Sequence, residues 1–242
     1  MQLVSIITVT YNSETYLEDT IKSVLNQSYK NIEYIIIDGA SNDKTIDIIK
    51  KYEQQIAFWI SEKDNGIYHA MNKGIRKAKG DIIGILNSDD WLMPDTVKKV
   101  VEASRATTET KYVVHGKIAT YNSRGNLVAV RAPKKIPGYY LFSTPFKHPA
   151  MFVSSDIYQQ IGLFDENCGL AADYDLMLRI IKNRILSIYV DETLTNVRLV
   201  GISTGGNSNA TLRDLFRIIK KNTHSYLMAF IGITGRIINK KL

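Results

Sequence analysis

Cysteine and histidine are scarce in this chain. Cys168 is the one cysteine, so no disulfide can form within the chain. The four histidines are too scattered along the sequence to match the ligand spacing of a zinc site. The amino terminus also lacks a basic segment followed by an apolar one, so we expect no signal peptide. Together these absences favour a reducing, cytoplasmic environment.

Long apolar runs are missing as well. The nearest candidate, Tyr226 to Ile233, is interrupted by Gly232 and is shorter than the roughly 20 apolar residues that a membrane-spanning helix needs. We therefore expect any contact with a membrane to be peripheral.

Two glycine motifs that cradle phosphates are absent. The first predicted strand is followed by Tyr11-Asn12 instead of Gly-x-Gly-x-x-Gly, and Gly-x-x-x-x-Gly-Lys-Ser/Thr occurs nowhere. These absences argue against dinucleotide-dependent dehydrogenases and P-loop NTPases. A sheet that binds nucleotides without such a cradle needs another partner for the pyrophosphate. A divalent cation held by carboxylates is the simplest one.

Positive charge is concentrated at the carboxyl end. The net charge is +7, and residues 211–242 carry seven basic residues against Asp214 alone, so +6 of it lies there. A nucleic-acid-binding protein would spread its charge over the fold, so we expect no nucleic-acid partner. Leu215 and Ile219 fall on one face of a predicted amphipathic helix. That face either lies on an anionic membrane surface or packs on the domain or on a second subunit.

The first half of the chain repeats a short β-branched run, a polar turn and a segment with helical spacing. Runs at 4–10, 32–37, 57–60 and 82–86 read as strands, which predicts a parallel α/β sheet. Asp38, Asp64 and Asp89 lie at or just past carboxyl ends of these strands. Ligands bind at that edge in open α/β sheets.

Asn87-Ser88-Asp89-Asp90 follows the fourth predicted strand. Neighbouring side chains in a strand point in opposite directions, so the two acids would face different parts of one ligand. One carboxylate would then hold a sugar hydroxyl and the other a metal. The alternative is that both acids form turns or helix caps.

The second half is less regular. A hairpin is predicted from Tyr112 to Val130, followed by a Pro-containing loop over 133–149 that is long enough to shape a pocket. Asp173 falls at the N-cap position of an amphipathic helix, where it is either a cap or a base directed into a cleft. Asp175 precedes Arg179 by four residues, a spacing that favours an ion pair.

Five segments occur together in an order that is typical of one family. They are Val-Thr-Tyr-Asn at 9–12, Ile-Asp-Gly-Ala-Ser at 37–41, Asp-Asn-Gly-Ile-Tyr-His-Ala-Met-Asn-Lys-Gly-Ile at 64–75, Asn-Ser-Asp-Asp at 87–90 and Ala-Ala-Asp-Tyr-Asp-Leu at 171–176. The chain thereby resembles the family 2 glycosyltransferases with the GT-A fold, particularly small bacterial enzymes that build O-antigen, capsule and other exopolysaccharides. The resemblance covers residues 1–206 and implies a single Rossmann-like, mostly parallel sheet flanked by helices.

The resemblance also implies an organisation of the chain. Residues 1–100 would form the nucleotide-sugar-binding half, residues 101–206 the acceptor-binding half, and residues 207–242 a basic amphipathic helical tail. The tail would hold the enzyme peripherally on the inner face of the cytoplasmic membrane. A homodimer is compatible with the same tail.

Roles for individual residues follow from the matching motif positions. The resemblance implies that Tyr11 and Asp38 contact the nucleotide base and that Asp64 and Asn72 lie around the nucleotide. These four residues would form the donor pocket.

The remaining motif positions imply the chemistry. Asp89 would contact the ribose, Asp90 would ligate Mn²⁺ or Mg²⁺, and Asp173 would act as general base. Asn87 or Ser88 replaces the first acid of the Asp-x-Asp motif, which puts the number of metal ligands in doubt but not the use of a metal.

The implied reaction is an inverting transfer of a hexose or N-acetylhexosamine from a UDP-sugar donor to a glycan acceptor carried on polyprenyl diphosphate. His148 is an acceptor-site residue, a metal contact or a buried strand-end histidine. Arg198 begins a glycine-rich segment, 198–206, that is either a lid with a phosphate contact or a linker. The alternative functions are a sugar nucleotidyltransferase and a non-catalytic nucleotide-sugar binding module.

Overall fold

A computed structural model describes residues 1–133, 139–199 and 209–239. The first half alternates strands and helices, as its sequence pattern predicts. In chain order the elements are β1 Val4–Thr10, α1 Leu17–Leu25, β2 Ile32–Asp38, α2 Thr45–Lys51, β3 Phe58–Ser61, α3 Ile67–Lys77, β4 Ile82–Asn87, β5 Trp91–Leu92 and α4 Thr96–Ser104. The predicted strands are therefore confirmed to within one residue at nearly every end.

The second half holds the longer strands and the remaining helices. Its elements are β6 Tyr112–Tyr121, β7 Leu127–Arg131, β8 Met151–Ser154, α5 Ser155–Ile161, α6 Ala172–Lys182, β9 Leu186–Arg198, α7 Asn209–Thr223 and α8 Tyr226–Asn239. The predicted β6–β7 hairpin is present, and β8 begins three residues after His148. His148 therefore lies outside the strand, in a 3-10 turn that covers His148–Ala150. Pro149 lies in that turn, where its missing N–H costs no strand hydrogen bond.

All nine strands of the described residues belong to one sheet. Its order is β3-β2-β1-β4-β8-β6-β9-β5, with β7 paired to the carboxyl end of β6. The pairings among β1 to β4 are parallel, whereas β4 with β8, β8 with β6 and β9 with β5 are antiparallel. The parallel half places the carboxyl ends of β1, β2 and β4 at one edge, which is where the predicted donor residues follow.

The core forms on both faces of the sheet because the parallel strands are apolar on both sides. All seven residues of β1 are buried. Alternate residues divide between two clusters: Ile7 packs in one with α3 and α6, and Ile6 packs in the other with α1 and α4. The sheet edge that carries the site is thus fixed by burial on either side.

The carboxyl-terminal helix α7 packs on the body of the domain. Leu215, Ile218 and Ile219 are 9%, 1% and 0% exposed, and they belong to the same core cluster as α6. The sequence left a membrane, the domain or a second subunit open for this face, and the structure places it against the domain. Lys240 and Lys241 lie outside the described residues, as does most of the predicted loop 198–206 and part of the loop 133–149.

No helix within the described ranges combines the length and apolar character needed to cross a bilayer.

Candidate active site

Two tight turns follow β1 and β2 at the carboxyl edge of the sheet. Asn12 and Ala40 have φ of 48° and 65°, a left-handed conformation that side chains other than glycine rarely adopt. The turns hold each other, because the backbone N–H of Asn12 donates to Oγ of Ser41 at 2.8 Å. Backbone strain of this kind concentrates at functional sites, where the surrounding structure maintains it.

Gly39 lets a third segment approach these turns. A Cβ at this position would lie 2.7 Å from Oδ2 of Asp64 and 3.4 Å from Cδ2 of Tyr11. Any side chain here would therefore displace the Asp64 carboxylate. The close approach explains why glycine follows Asp38 and brings two predicted donor residues together.

A cleft of about 480 Å³ opens beside these turns. Its walls come from the ends of β1 and β4, the start of α3 and the segment that precedes α1. The lining residues include Tyr11, Ser13, Tyr16, Asp64, Ile67, Asn87 and Asp89. A volume of this size is in the range of small-molecule sites. Tyr11 is 62% exposed, so its ring is available to a ligand.

The two acids of the Asn87–Asp90 motif point to different surroundings, as predicted, but they lie in the turn between β4 and β5, so strand alternation is not the cause. Asp89 lines the cleft, whereas Asp90 is 1% exposed. Oδ1 of Asp90 accepts from the backbone N–H of Arg198 at 3.1 Å, and Oδ2 accepts from Nδ2 of Asn87 at 3.3 Å. Asp90 thus stabilises the motif through hydrogen bonds on its buried side.

Burial changes the proton affinity of both acids. It raises the pKa of Asp89 and raises that of Asp90 well above the usual range, with the Asp89 charge adding to the effect on Asp90. Desolvation disfavours an ionised carboxylate, and a bound cation would reverse that effect.

The backbone of this motif is clamped by residues distant in sequence. Oγ1 of Thr20 donates to the carbonyls of Ser88 at 2.9 Å and Asp90 at 2.7 Å. Nη1 of Arg198 donates to the carbonyl of Asp89 at 2.7 Å. The motif is therefore held at three successive carbonyl oxygens, which fixes the direction of the Asp89 side chain.

The Arg198 guanidinium is fully engaged in this clamp. Nη2 pairs with Oδ2 of Asp19 at 2.8 Å, and the group stacks 4.4 Å from the Trp91 ring centroid and 4.6 Å from that of Tyr16. The predicted phosphate contact of Arg198 stays a prediction, and here the side chain serves the motif itself.

Two predicted donor residues lie behind the cleft. Asp38 is 0% exposed and accepts from Oγ of Ser61 at 2.6 Å and from Ser41. Asn72 is 2% exposed. Its Nδ2 donates to the carbonyl of Phe164 and its Oδ1 accepts from the backbone N–H of Phe164, both at 3.0 Å. Both side chains brace the turns around the site in this structure, because their hydrogen bonds are made within the protein.

Asp173 is the second residue of α6, and Ala171 occupies the N-cap, so the predicted cap role is wrong. Oδ1 of Asp173 accepts from the backbone N–H of Tyr174 at 2.7 Å and from the Tyr68 hydroxyl at 3.2 Å. Within the described residues Oδ2 of this half-buried carboxylate has no hydrogen-bond donor. One oxygen is thus fixed and the other is open.

Tyr68 links this carboxylate to helix α3. It follows Ile67, which lines the cleft, and its ring packs 5.3 Å from that of Phe164. Burial raises the pKa of Tyr68, so the hydroxyl remains a donor. Burial lowers the pKa of His148, and the nearby charge of Asp173 opposes that shift. The His148 ring also meets the Phe164 ring edge-on at 5.8 Å, so His148 and Tyr68 pack against the same side chain.

Asp175 has a structural place. It is 0% exposed, and it pairs with Nε of Arg179 at 2.8 Å, as the four-residue spacing predicts. Nδ2 of Asn222, on α7, donates to its other oxygen at 2.9 Å. Helix α7 therefore holds the segment that presents Asp173.

Oxygen donors suited to a hard divalent cation line the cleft. Asp64 and Asp89 supply carboxylates, and Oδ1 of Asn87 is buried without a hydrogen-bond partner in the described ranges. Carboxylate and amide oxygens are the ligands that Mg²⁺ and Mn²⁺ prefer. The residues present fit such a cation.

A tighter group of candidate metal ligands lies elsewhere, at Asp165, Cys168 and Asp175. Lys221 pairs with Asp165 at 2.8 Å and lies 3.4 Å from Asp175. Because a lysine already neutralises these acids, this group is an ion-pair cluster.

Three residues of the site have weak sequence signals. Tyr68 lies inside one of the five matching segments, which was the available sign of its importance. Thr20 and Asp19 fall in an ordinary helical segment, and only the fold shows that they hold the motif.

The Glycosyl transferase family 2 pattern matches residues 5–156, which is more than half of the chain. The chain belongs to this family.

Similarity to individual family members supports the fold and the class of activity. The chain is 41% identical over 103 residues, 41% of either protein, to the putative teichuronic acid biosynthesis glycosyltransferase TuaG of Bacillus subtilis. Its structure matches S. aureus TarS 1-349 in complex with UDP-GlcNAc with a TM-score of 0.73 at 16% identity, over 97% of this chain and 71% of that one. The GT-A fold predicted from the sequence is confirmed.

A second structural match comes from an archaeon. The mannosyltransferase PcManGT of Pyrobaculum calidifontis, in complex with GDP-Man and Mn²⁺, superposes with a TM-score of 0.69 at 16% identity, over 96% of this chain and 70% of that one. This match supports the same GT-A fold for the chain.

Proposed function

We propose that this family 2 glycosyltransferase is an inverting, metal-dependent hexosyltransferase. It would move a hexose or N-acetylhexosamine from a UDP-sugar to a hydroxyl of a glycan acceptor. The observation that carries this proposal is a pair of partly exposed acids on separate elements: Asp89 lines the cleft, and Oδ2 of Asp173 has no hydrogen-bond donor within the described residues. Two carboxylates with separate surroundings suit two separate tasks.

The donor task falls to the cleft residues. We place Tyr11 against the base, and Asp64 and Asp89 near the ribose and diphosphate. The sequence prediction assigned the cation to Asp90, but Asp89 is the acid of the pair that lines the cleft and Asp90 is 1% exposed. We therefore propose Asp89, with Asp64 and Asn87 nearby, as the group that would hold Mn²⁺ or Mg²⁺. When bound there, such a cation supplies charge neutralisation for a leaving diphosphate.

The base task falls to Asp173. Its Oδ1 is held by Tyr68 and by the Tyr174 N–H, so Oδ2 is the oxygen that would accept the proton of the acceptor hydroxyl. A hydroxyl activated in this way attacks the anomeric carbon from the face opposite the leaving group. One displacement inverts that carbon, as in inverting glycosidases. His148 packs against the same Phe164 ring as Tyr68, which holds Asp173, and this supports a place on the acceptor side.

The proposal also includes the acceptor and its location in the cell. The sequence resemblance and the name of TuaG support a cell-surface polysaccharide as product. A polyprenyl-diphosphate-linked glycan on the inner face of the cytoplasmic membrane would be the acceptor. The ligands named for the two matched structures, UDP-GlcNAc and GDP-Man, support a nucleotide-sugar donor without choosing the sugar.

The test separates the two carboxylates. Nucleotide release would be measured over a panel of UDP- and GDP-sugars with Mn²⁺ and a lipid-diphosphate sugar, and donor binding by calorimetry. Asp173→Asn should lower turnover by about 10² to 10⁴ with donor affinity unchanged, because it removes only the base. Asp89→Asn should weaken Mn²⁺-dependent donor binding. Asp156→Asn, in helix α5 outside the described site, is the matched control.

Three results would contradict the proposal. Wild-type turnover in Asp173→Asn would remove the base assignment. Donor binding with no transfer to any acceptor would favour a binding module. Release of pyrophosphate with formation of a nucleotide sugar would show a nucleotidyltransferase.

A further inference from the structure

Helix α8 is built with its small residues facing the protein. Ala229 is 0% exposed, and a Cβ on Gly232 would lie 2.7 Å from Cδ1 of Ile219 and 3.0 Å from the carbonyl oxygen of Leu141. A Cβ on Gly235 would collide with the ring of Phe142. The helix can lie this close to α7 and to the segment at 141–142 only because these side chains are small.

The large apolar side chains of α8 point away from the protein. Tyr226, Leu227 and Phe230 are 67%, 66% and 66% exposed, Ile237 and Met228 are 44% and 42% exposed, and Ile231 is 38% exposed. At 100° per residue most of these positions fall on one side of the helix, opposite Ala229 and Gly232. A helix that only completed a core would have the reverse arrangement. A contiguous exposed apolar surface of this kind marks an interaction site.

Basic residues outnumber acidic ones around this surface. Residues 209–239 contain five basic residues and Asp214 as their one acid. Nζ of Lys220 lies 3.9 Å from the centroid of the Tyr226 ring, so a cation stands beside the apolar surface. Arg213 and Arg217 are exposed on α7. An apolar strip bordered by basic residues is complementary to an anionic lipid surface.

We propose that the exposed side of α8, with the basic side of α7, docks on the surface of an anionic lipid bilayer. Large apolar side chains would enter the headgroup boundary while Lys220, Arg213 and Arg217 meet lipid phosphates. The sequence predicts membrane contact through the basic tail, and the structure indicates that α8, and not the buried apolar face of α7, would supply the apolar side chains. It does not depend on the proposed transferase reaction.

The charge distribution favours a bilayer over a second copy of this chain. In a two-fold dimer each residue of the surface meets the same surface of its partner. Such a contact would place Lys220 and Arg217 of one copy against a surface that is also basic, and α8 has no acid that could pair with them. Like charges placed together at an interface oppose association. An anionic bilayer meets the same cations with opposite charge.

The experiment measures sedimentation of the whole chain with vesicles of phosphatidylcholine alone or mixed with phosphatidylglycerol. We expect binding to the mixed vesicles only. Leu227→Glu combined with Phe230→Glu should abolish it, because charged side chains would replace the inserted ones. The matched control is Val128→Glu with Val130→Glu on β7, at 52% and 53% exposure, and it should bind like wild type.

Charge variants test the second half of the proposal. Arg213→Gln and Arg217→Gln should each weaken partition by about fivefold, because a basic residue near the surface contributes about 1 kcal/mol. Far-ultraviolet circular dichroism and thermal unfolding establish that each variant is folded.

Several results would overturn the proposal. The first is vesicle binding that survives Leu227→Glu with Phe230→Glu. The second is equal binding to neutral and anionic vesicles. The third is failure of the wild type to bind any vesicle, together with a concentration-dependent dimer that the same double variant dissociates, because it would show that α8 contacts a second copy.

Discussion

Two pairs of acids, Asp89 with Asp90 and Asp173 with Asp175, show the same division in different surroundings. In each pair one carboxylate, that of Asp89 or Asp173, is partly exposed, and the other is buried within the protein. The buried acids are held differently. Asp175 has a cation, Arg179, at 2.8 Å, whereas the carboxylate of Asp90 accepts hydrogen bonds from a backbone N–H and from an amide.

This difference tells what each region is built to do. At Asp175 the negative charge is already balanced, so the pair fixes a helix and leaves Asp173 as the open acid. At Asp90 the balance is incomplete, and burial raises the pKa of both Asp89 and Asp90. A site whose carboxylates lack full compensation attracts a cation, whereas a compensated one does not.

The largest expected effect, on the free energy of unfolding, follows from removing Asp175, whose charge is balanced by Arg179. Asp175→Ala leaves the Arg179 guanidinium, 15% exposed, without its carboxylate. Removing one partner of a buried ion pair costs about 3 to 5 kcal/mol. Urea unfolding at constant slope should show this loss. Asp165→Ala is the control, because its pair with Lys221 is largely exposed and contributes below about 1 kcal/mol. Equal losses would mean that Asp175 is not a structural acid.

A smaller effect, on cation affinity, is expected from removing the side chain that holds the backbone at Asp89 and Asp90. Arg198→Ala removes the donor to the Asp89 carbonyl and the partner of Asp19. Loss of a residue that orients a metal ligand lowers cation affinity by about 10- to 100-fold. Titration calorimetry of Mn²⁺ in the presence of UDP would measure it.

Two controls define the role of Arg198. Asp19→Asn removes the ion pair but keeps the carbonyl contact, so it should lower affinity less. Arg198→Lys keeps the charge but not the planar fork, so it should recover only part of the loss. Unchanged Mn²⁺ affinity in Arg198→Ala would show that the clamp does not serve the cation.

The smallest effect concerns pH. Lys221 beside Asp165 lowers the pKa of that carboxyl to about 2, below its ordinary value of about 3.9. The folded state therefore binds fewer protons in this window, and the stability from this pair is present above about pH 4 and lost as the pH falls towards 2. Asp165→Asn should show a shallower loss between these values, by less than about 1 kcal/mol. Parallel acid dependence in both proteins would contradict the assignment.

The sequence was most informative where local pattern and burial agree. Strands β1, β2 and β4 were predictable because β-branched runs buried on both faces leave no other choice. The positions of Asp64 and Asp89 followed from the same pattern, since parallel strands end at one edge. The pair of Asp175 with Arg179 followed from helical spacing alone.

Other features were out of reach because they depend on contacts between distant segments. Asn72 and Asp38 match donor positions by motif, yet both are buried and bonded to the protein in this structure. The carbonyl clamp by Thr20 and Arg198 joins residues 68 to 109 positions from the motif. No local pattern encodes such distances.

The sequence by itself determined the α/β order, the acids at strand ends and the excess of positive charge near the carboxyl terminus, because each depends on residue type and spacing. The tertiary structure decided which acid of Asp89 and Asp90 faces the cleft, which oxygen of Asp173 is open, and that α7 turns its apolar face inward while α8 turns its own outward. Those outcomes depend on which surface each element packs against, and packing is a property of the whole chain.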